Sequence, residues 1–349
     1  RSVAIGMQAL AVQNFTSETS VYNTAVGFQA GVAVTTGIQN TIVGGLAGDA
    51  FTTGERNVAI GFQALTSDTK GNLSVAIGQH TLDAQNFTTA TSTFNTAVGY
   101  AAGAAVTTGL QNTLIGGLAG DALTDADKNV AIGYGALTTD TLGSRSVAIG
   151  TFALEDQNFT SATDAYNVAV GNAAGANVTT GTMNTLIGGL AGDAITTGQY
   201  NVAIGVDALS VEDTASKSVA VGTSALAVQN AGTVDAYNVA VGHNSGVNVT
   251  TGVNNTLIGG LAGDALTTGS LSVAVGYHAL GTEDTGGRNV AVGYEALAAQ
   301  NSDTTNYNTA VGFNSGVSVT TGIQNTIIGG LAGTQGTDLT TGNNNILLG

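Results

Sequence analysis

NTAVGFQAGVAVTTGIQ, residues 23–39, is followed at once by NTIVGGLAGDAFTTGER, residues 40–56, and then by NVAIGFQALTSDTKGNL, residues 57–73. Each stretch opens on one five-residue phrase: Asn or Ser, then Thr, Val or Ile, a small or apolar residue, Val, Ile or Leu, and Gly. The phrase recurs from Ser2 to Asn345, twenty copies in all, usually at the step that separates Asn23 from Asn40 and Asn40 from Asn57. One interval in four is longer, so the larger period is a block of four phrases. Blocks start near residues 2, 74, 146, 218 and 289. A unit this short cannot bury a core alone and must stack on its neighbours, which is the signature of a solenoid. The phrase alternates with the period of a strand, and a unit of that length with regular Gly and TTG signals suits two short strands and two turns better than two packed helices. The expected fold is all-β: a parallel β-solenoid (β-roll) of about twenty coils, continuous over residues 1–349. At a strand spacing of about 4.8 Å, twenty coils make a rod of roughly 95 Å.

The alternation divides the phrase into two faces. Val3 with Ile5, Val58 with Ile60 and Val130 with Ile132 are expected to stack as aliphatic columns and form the core. The opposite face carries Ala4, Ala25, Ala59, Ala76 and Ala97, an Asn or Ser column and the closing Gly, and is expected to be the smooth surface on which copies associate. Stacked Asn amides are expected to bond from coil to coil. The residues themselves leave dimer and trimer open.

Composition agrees with a repeat protein and excludes several classes. The 349 residues include 52 Gly and no Pro, Cys or Trp; aromatics are 5% and charged residues 9%, against about 25% charged in an average globular chain. No disulfide framework or thiolate metal site can form. No run approaches the roughly 18 apolar residues of a membrane helix, so no membrane insertion is expected. A formal charge of −16 repels nucleic acid and anionic lipid. It also makes copies repel one another, so low salt is expected to loosen an assembly. The chain opens at Arg1 without an initiator Met and begins and ends inside a repeat, as expected of an excerpted piece.

SVAIG followed by two residues and Ala resembles the head repeat of YadA-type trimeric autotransporter adhesins. The form at residues 23–39 resembles even more closely the repeats of phage tail fibres and related bacterial surface proteins that end in an intramolecular endosialidase-type chaperone. The resemblance implies a homotrimer and a left-handed coil, and that a chaperone segment, if one existed, lay beyond Gly349 and was removed. The coils of this chain are longer than those of the adhesin pattern.

The longer coils are candidate binding sites, since extra residues leave a solenoid as loops. The first coil of each block gains an insertion beginning with Gln-Asn and ending on an aromatic residue: Tyr22, Phe94, Tyr166, Tyr237 and Tyr307. Asn14 with Phe15, Asn86 with Phe87 and Asn158 with Phe159 stand inside the first three. Aromatic and amide side chains together suit a host cell-surface glycan or receptor. The same rings could instead fold back over the open edge of a coil.

Other motifs point away from chemistry. Asp49, Asp121, Asp193 and Asp264 recur in GGLAGDA, too far apart within a chain to share an ion, and read as turn caps. The NFT triplets at Asn14, Asn86 and Asn158 arise readily in Asn- and Thr-rich sequence. Adjacent Thr in TTG point to opposite faces, which disfavours an ice-binding array. His80, His243 and His278 hold irregular places, and GGLAG lacks the Lys and Ser or Thr that finish a phosphate loop. No catalytic residue, metal site or cofactor is expected, although carboxylates assembled between chains would make a depolymerase. The function expected is a structural shaft, extracellular, in a virion tail fibre that presents a host-binding tip. The alternative is a YadA-like adhesin head on a bacterial surface.

Overall fold

The computed structural model describes residues 1–16, 20–334 and 339–349. The chain is an all-β parallel β-solenoid of about twenty turns and falls into two compact units, Arg1–Ala173 and Ala174–Gly349. In the first, three-residue strands from Val3–Ile5 to Val168–Val170 pair in parallel, each with the next, over ten coils. The second repeats the arrangement from Thr185–Ile187 to Ile346–Leu348. Register is strict: Val58, Ala59 and Ile60 oppose Val75, Ala76 and Ile77.

The phrase ends on Gly because the chain must turn there against a neighbouring coil. Gly61 has φ +138°, and a Cβ on it would run into the carbonyl of Gly78. Only glycine combines that backbone with that approach. Beyond the corner the coil differs from expectation: it holds one regular strand, not two. The return side is a series of tight turns whose amides bond the next coil, as Gly48 N–H does to Ala64 O (2.9 Å) and Thr35 N–H to Thr52 O (2.9 Å). Among the described residues two-residue strands appear there only beside insertions, where Gly71–Asn72 pairs with Thr91–Ser92 and Gly143–Ser144 with Thr163–Asp164.

The two faces of the phrase are the reverse of the expectation. Ala25, Ala59, Ala76 and Ala97 are fully buried, together with the Asn and Ser column. The flanking aliphatic residues point outward; Ile77, Ile115 and Ile187 are each 37% exposed. Space decides this. In the coils of Ala59 and Ala76 the interior is already filled from the return side by Leu65 and Leu82, so only a methyl group fits opposite. Where the third residue is larger, as at Ile42 and Leu114, a glycine makes the room: a Cβ on Gly31 would lie 2.8 Å from Ile42 Cδ1, and one on Gly120 2.8 Å from Leu114 Cδ2.

The buried Asn column bonds chiefly to the backbone; the expected amide-to-amide bond between coils occurs at its end, where Asn345 Nδ2 donates to Asn325 Oδ1 (2.9 Å). Asn40 Nδ2 donates to Gly54 O (2.8 Å), closing its own coil, and its Oδ1 accepts the N–H of Asn57 (2.9 Å) in the next. Asn57 repeats both bonds, to Gly71 O and from Ser74 N–H. One side chain thus fastens a coil to itself and to its neighbour, which is why a polar residue sits in the core without penalty.

Candidate functional site

The insertions of the second and third blocks are anchored from beneath by a buried carboxylate. Asp68, in the coil below, accepts the N–H of Gly71 (2.9 Å) and of Phe87 (3.1 Å) with Oδ1, and the amide of Gln85 (2.6 Å) with Oδ2. Gln85 also donates to Ser74 Oγ (2.9 Å) and accepts from Asn95 Nδ2 (2.9 Å). Asp140, Gln157 and Ser146 reproduce the set in the next block. In the second unit Glu212 and Gln229 do so with Ser218. The Gln that opens the insertion is therefore an internal fastener. Where the phrase has Ser in place of Asn, the shorter side chain leaves an acceptor that the Gln fills. Burial raises the Asp68 carboxyl above the usual carboxylate range against these hydrogen bonds, and it raises Glu283 likewise.

The same anchoring decides where the aromatic residues go. Phe87 and Phe159 are 7% and 5% exposed, with their amides held by Asp68 and Asp140. These two rings face inward and cannot stack on an external ligand, so the glycan reading does not apply to them. Phe15 is half-buried. Asn14 and Asn86 are exposed; Asn86 and the half-buried Asn158 accept from Thr69 and Thr141 of the coil below (3.2 Å each). Tyr22, Phe94, Tyr166, Tyr237 and Tyr307 lie on the outer surface, about half exposed, in left-handed backbone with φ between +50° and +56°.

Those five belong to a column that sequence reasoning missed: the residue just before each phrase. It holds Arg1, Arg56, Lys128, Arg145, Lys217 and Arg288, every Lys and Arg of the chain except Lys70. The column carries no acid. Three cations stand over the aromatic ring that ends the following insertion: Arg145 over Tyr166 (5.6 Å), Lys217 over Tyr237 (5.2 Å) and Arg288 over Tyr307 (5.4 Å). Arg145 Nε also meets Asp164 (2.8 Å), and Lys217 meets Asp235 (2.6 Å) and donates to the Tyr237 hydroxyl (3.1 Å). Hydrogen bonds to these partners hold the Lys217 ammonium above its ordinary range and Asp235 below its own. In the second block the cation is replaced by Leu73, and the ring is Phe94, without a hydroxyl. The signal was present in the sequence as the confinement of positive charge to one place in the repeat.

From this column the outer face of the sheet runs across two columns of Val, Ile, Leu and Thr, at the second and fourth places of the phrase, to a mixed row at the sixth, where Gly and aromatic residues such as Phe62 and Tyr134 stand among others such as Gln79, Thr151 and Val206. Tyr277, Tyr294 and Phe313 stack there at 5.4 and 5.3 Å between centroids. His80 lies edge-on to Phe62 (5.8 Å) and reaches Asp83 (3.2 Å). Asp49 and Asp121 do not cap their own turns as expected; they accept from Thr66 and Thr138 of the next coil (2.5 Å each). In the TTG tracts the first Thr bonds the next coil's carbonyl, as Thr35 does to Thr52 O (3.0 Å), and Thr36 is exposed. Among the described residues no group of three His, Cys, Asp or Glu could hold a metal ion, and no helix is long and apolar enough to cross a membrane.

Comparison with known proteins adds nothing to this geometry: no family model, no curated protein and no solved structure matches the chain.

Proposed function

We propose that the chain is the shaft of an extracellular homotrimeric fibre, of the phage tail-fibre kind, in which copies associate through the outward aliphatic face and carry a host-binding tip. The observation that supports this most is the continuity of that face. Within each unit every coil presents two outward residues drawn from Val, Ile, Leu and Thr, in register with the next. Burying the exposed third of one Val or Ile is worth about 0.5–1 kcal/mol, so ten coils offer on the order of 10 kcal/mol. That is comparable to the roughly 4–15 kcal/mol lost on association, and both units contribute. The small residues assigned to this contact on sequence grounds lie inside the coil, so the association surface moves to the opposite face of the same strands. Three-fold closure rests on the resemblance to tail-fibre and adhesin repeats.

Sedimentation equilibrium of the full chain tests the assembly: the expected mass is three times 34.2 kDa, and a monomer at micromolar concentration contradicts it. The exposed tyrosine column favours a second reading, an adhesin head that binds host glycan or receptor along its length. A glycan array separates the two. A shaft gives no binding, whereas an adhesin gives binding that Tyr166→Ala and Tyr237→Ala abolish.

A further inference from the structure

Five glycines of the repeat have no reason in their own coil. Gly45, Gly117, Gly189, Gly260 and Gly330 stand at the sixth place, once per block, at the edge of the outward face. None is in left-handed backbone, the conformation that calls for glycine. A Cβ on Gly45 or Gly117 would only touch the ring of Phe62 or Tyr134 in the next coil, at 3.6 and 3.5 Å, and one on Gly189 or Gly330 would meet nothing. In other coils the same place takes side chains as large as Phe28 and Tyr100, so the room these glycines leave lies outside the coil. The face they border also excludes one kind of residue. From the residue before the phrase to the sixth place, no coil holds an Asp or Glu, although the chain has 23. A face bathed in water has no reason to shed carboxylates; a face that loses its water does, because an unpaired carboxylate is costly to bury.

We infer that these glycines are sockets for a neighbouring copy of this chain, each filled by the uncharged side chain that precedes the phrase of the same coil in that copy. This rests on the self-association through the aliphatic face proposed above. Rotation about an axis parallel to the stack of coils brings every coil to the height of its equivalent. Every strand crosses the face in the same sense, so the sixth place of one copy meets the residue before the phrase in the next. The partner of each socket is thereby fixed: Gly45 receives Gln39, and Gly117 receives Gln111, both of them exposed. The adjoining coils of the first unit match at the same height. On one side of the sockets Tyr22 meets Phe28 and Phe94 meets Tyr100, ring against ring; on the other Arg56 meets Phe62 and Lys128 meets Tyr134, cation against ring. All six rings are about half exposed in their own chain, and neither Arg56 nor Lys128 forms an ion pair among the described residues. Arg56 Nε donates to Gln39 Oε1 (3.0 Å), which ties the cation to the side chain that fills the socket. A slip of one coil would set Tyr22 or Arg56 against Gly45, so the sockets also fix the height at which copies meet.

The test uses the full chain, which has no native cysteine. Q39C/G45C places two thiols up to about 20 Å apart within one chain but side by side between copies. A short bismaleimide is expected to convert this variant to a covalent trimer on a denaturing gel. Q111C/G45C, four coils or about 19 Å out of register, should give no covalent trimer, and neither should either single substitution. R56C/F62C, which alters no glycine, carries the same expectation as Q39C/G45C if the latter fails to fold. G45W/G117W fills the sockets; it should keep the native β signal and raise the dissociation constant about tenfold. A native oligomer overturns the sockets, while leaving the assembly standing, if its matched pairs give no covalent trimer, if the mismatched pair links equally well, or if the tryptophans leave its affinity unchanged. A monomeric native chain overturns both.

Discussion

The second and fifth insertions are built on the same plan and differ in how well it closes. Beneath the second, every polar atom of Asp68, Ser74 and Gln85 that faces the interior has a partner. Beneath the fifth, Ser is replaced by Asn289, and the insertion is shorter. Glu283 still accepts from Gly286 N–H (2.7 Å) and Ser302 N–H (3.4 Å), but its second oxygen is taken by Asn306 (2.5 Å). Gln300 keeps its bond from Asn308 (2.6 Å), while Gln300 Nε2, Asn289 Nδ2 and Asn306 Oδ1 are buried without partners. A Ser hydroxyl can accept from the glutamine amide; an Asn amide presented through nitrogen cannot. The Gln-Asn insertion and the Ser of the phrase are thus one device, and changing one half leaves the other stranded.

The largest break is expected at the carboxylate. Asp68→Ala removes the acceptor of two backbone amides and Gln85, a loss of about 3–5 kcal/mol, whereas Glu283→Ala, with one long bond among its three, should lose roughly 1 kcal/mol less. Urea midpoints of the two variants measure the difference, and equal losses would show that the two networks are equally closed. Asn289→Ser sharpens the comparison in the other direction. A hydroxyl at 289 would accept from Gln300 Nε2 and remove a stranded donor, so a gain of about 1 kcal/mol is expected. A loss there would mean that Asn308 N–H, which bonds Asn289 Oδ1 at 3.2 Å, matters more than the buried amide.

The smallest effect is the pH dependence. Burial raises Asp68 and Glu283 above their unfolded values, so the folded state holds these protons more tightly. Their contribution is full below the ordinary carboxylate range and is lost as pH rises through the folded-state values. The native urea midpoint should therefore fall from the acidic side of that range toward neutrality, and Asp68→Asn should flatten that slope. A slope unchanged by the substitution would assign the dependence to surface charge alone.

Much of the architecture was legible in the sequence, because so short a repeat with strand alternation leaves few folds. The direction of the strand faces was not. Val and Ala are both apolar, so alternation between them has no sign, and the buried Asn beside Ala25 and Ala59 made that side read as outer. The deciding facts are non-local: the room taken by Leu65 and Leu82 on the return side, and the backbone partners that Asn40 and Asn57 find there. The insertions were visible, but their anchor was not, because Asp68, Asp140, Glu212 and Glu283 lie in the preceding coil. Each stands one coil length before the insertion's Gln, a spacing that becomes meaningful only once coils are stacked; at Glu283 that Gln is Gln300, and Asn306 takes the bond in its place. The basic column hid for the same reason, one cation per coil at most.

The inverted face and the assembly it supports are tested most directly by sedimentation of Ile60→Asp/Ile132→Asp beside the native chain, with circular dichroism on the same samples. The expected result is a folded monomer with native β signal, because both side chains point outward from intact coils. An unfolded double variant would return the aliphatic columns to the core, and a folded trimer would move the association surface elsewhere.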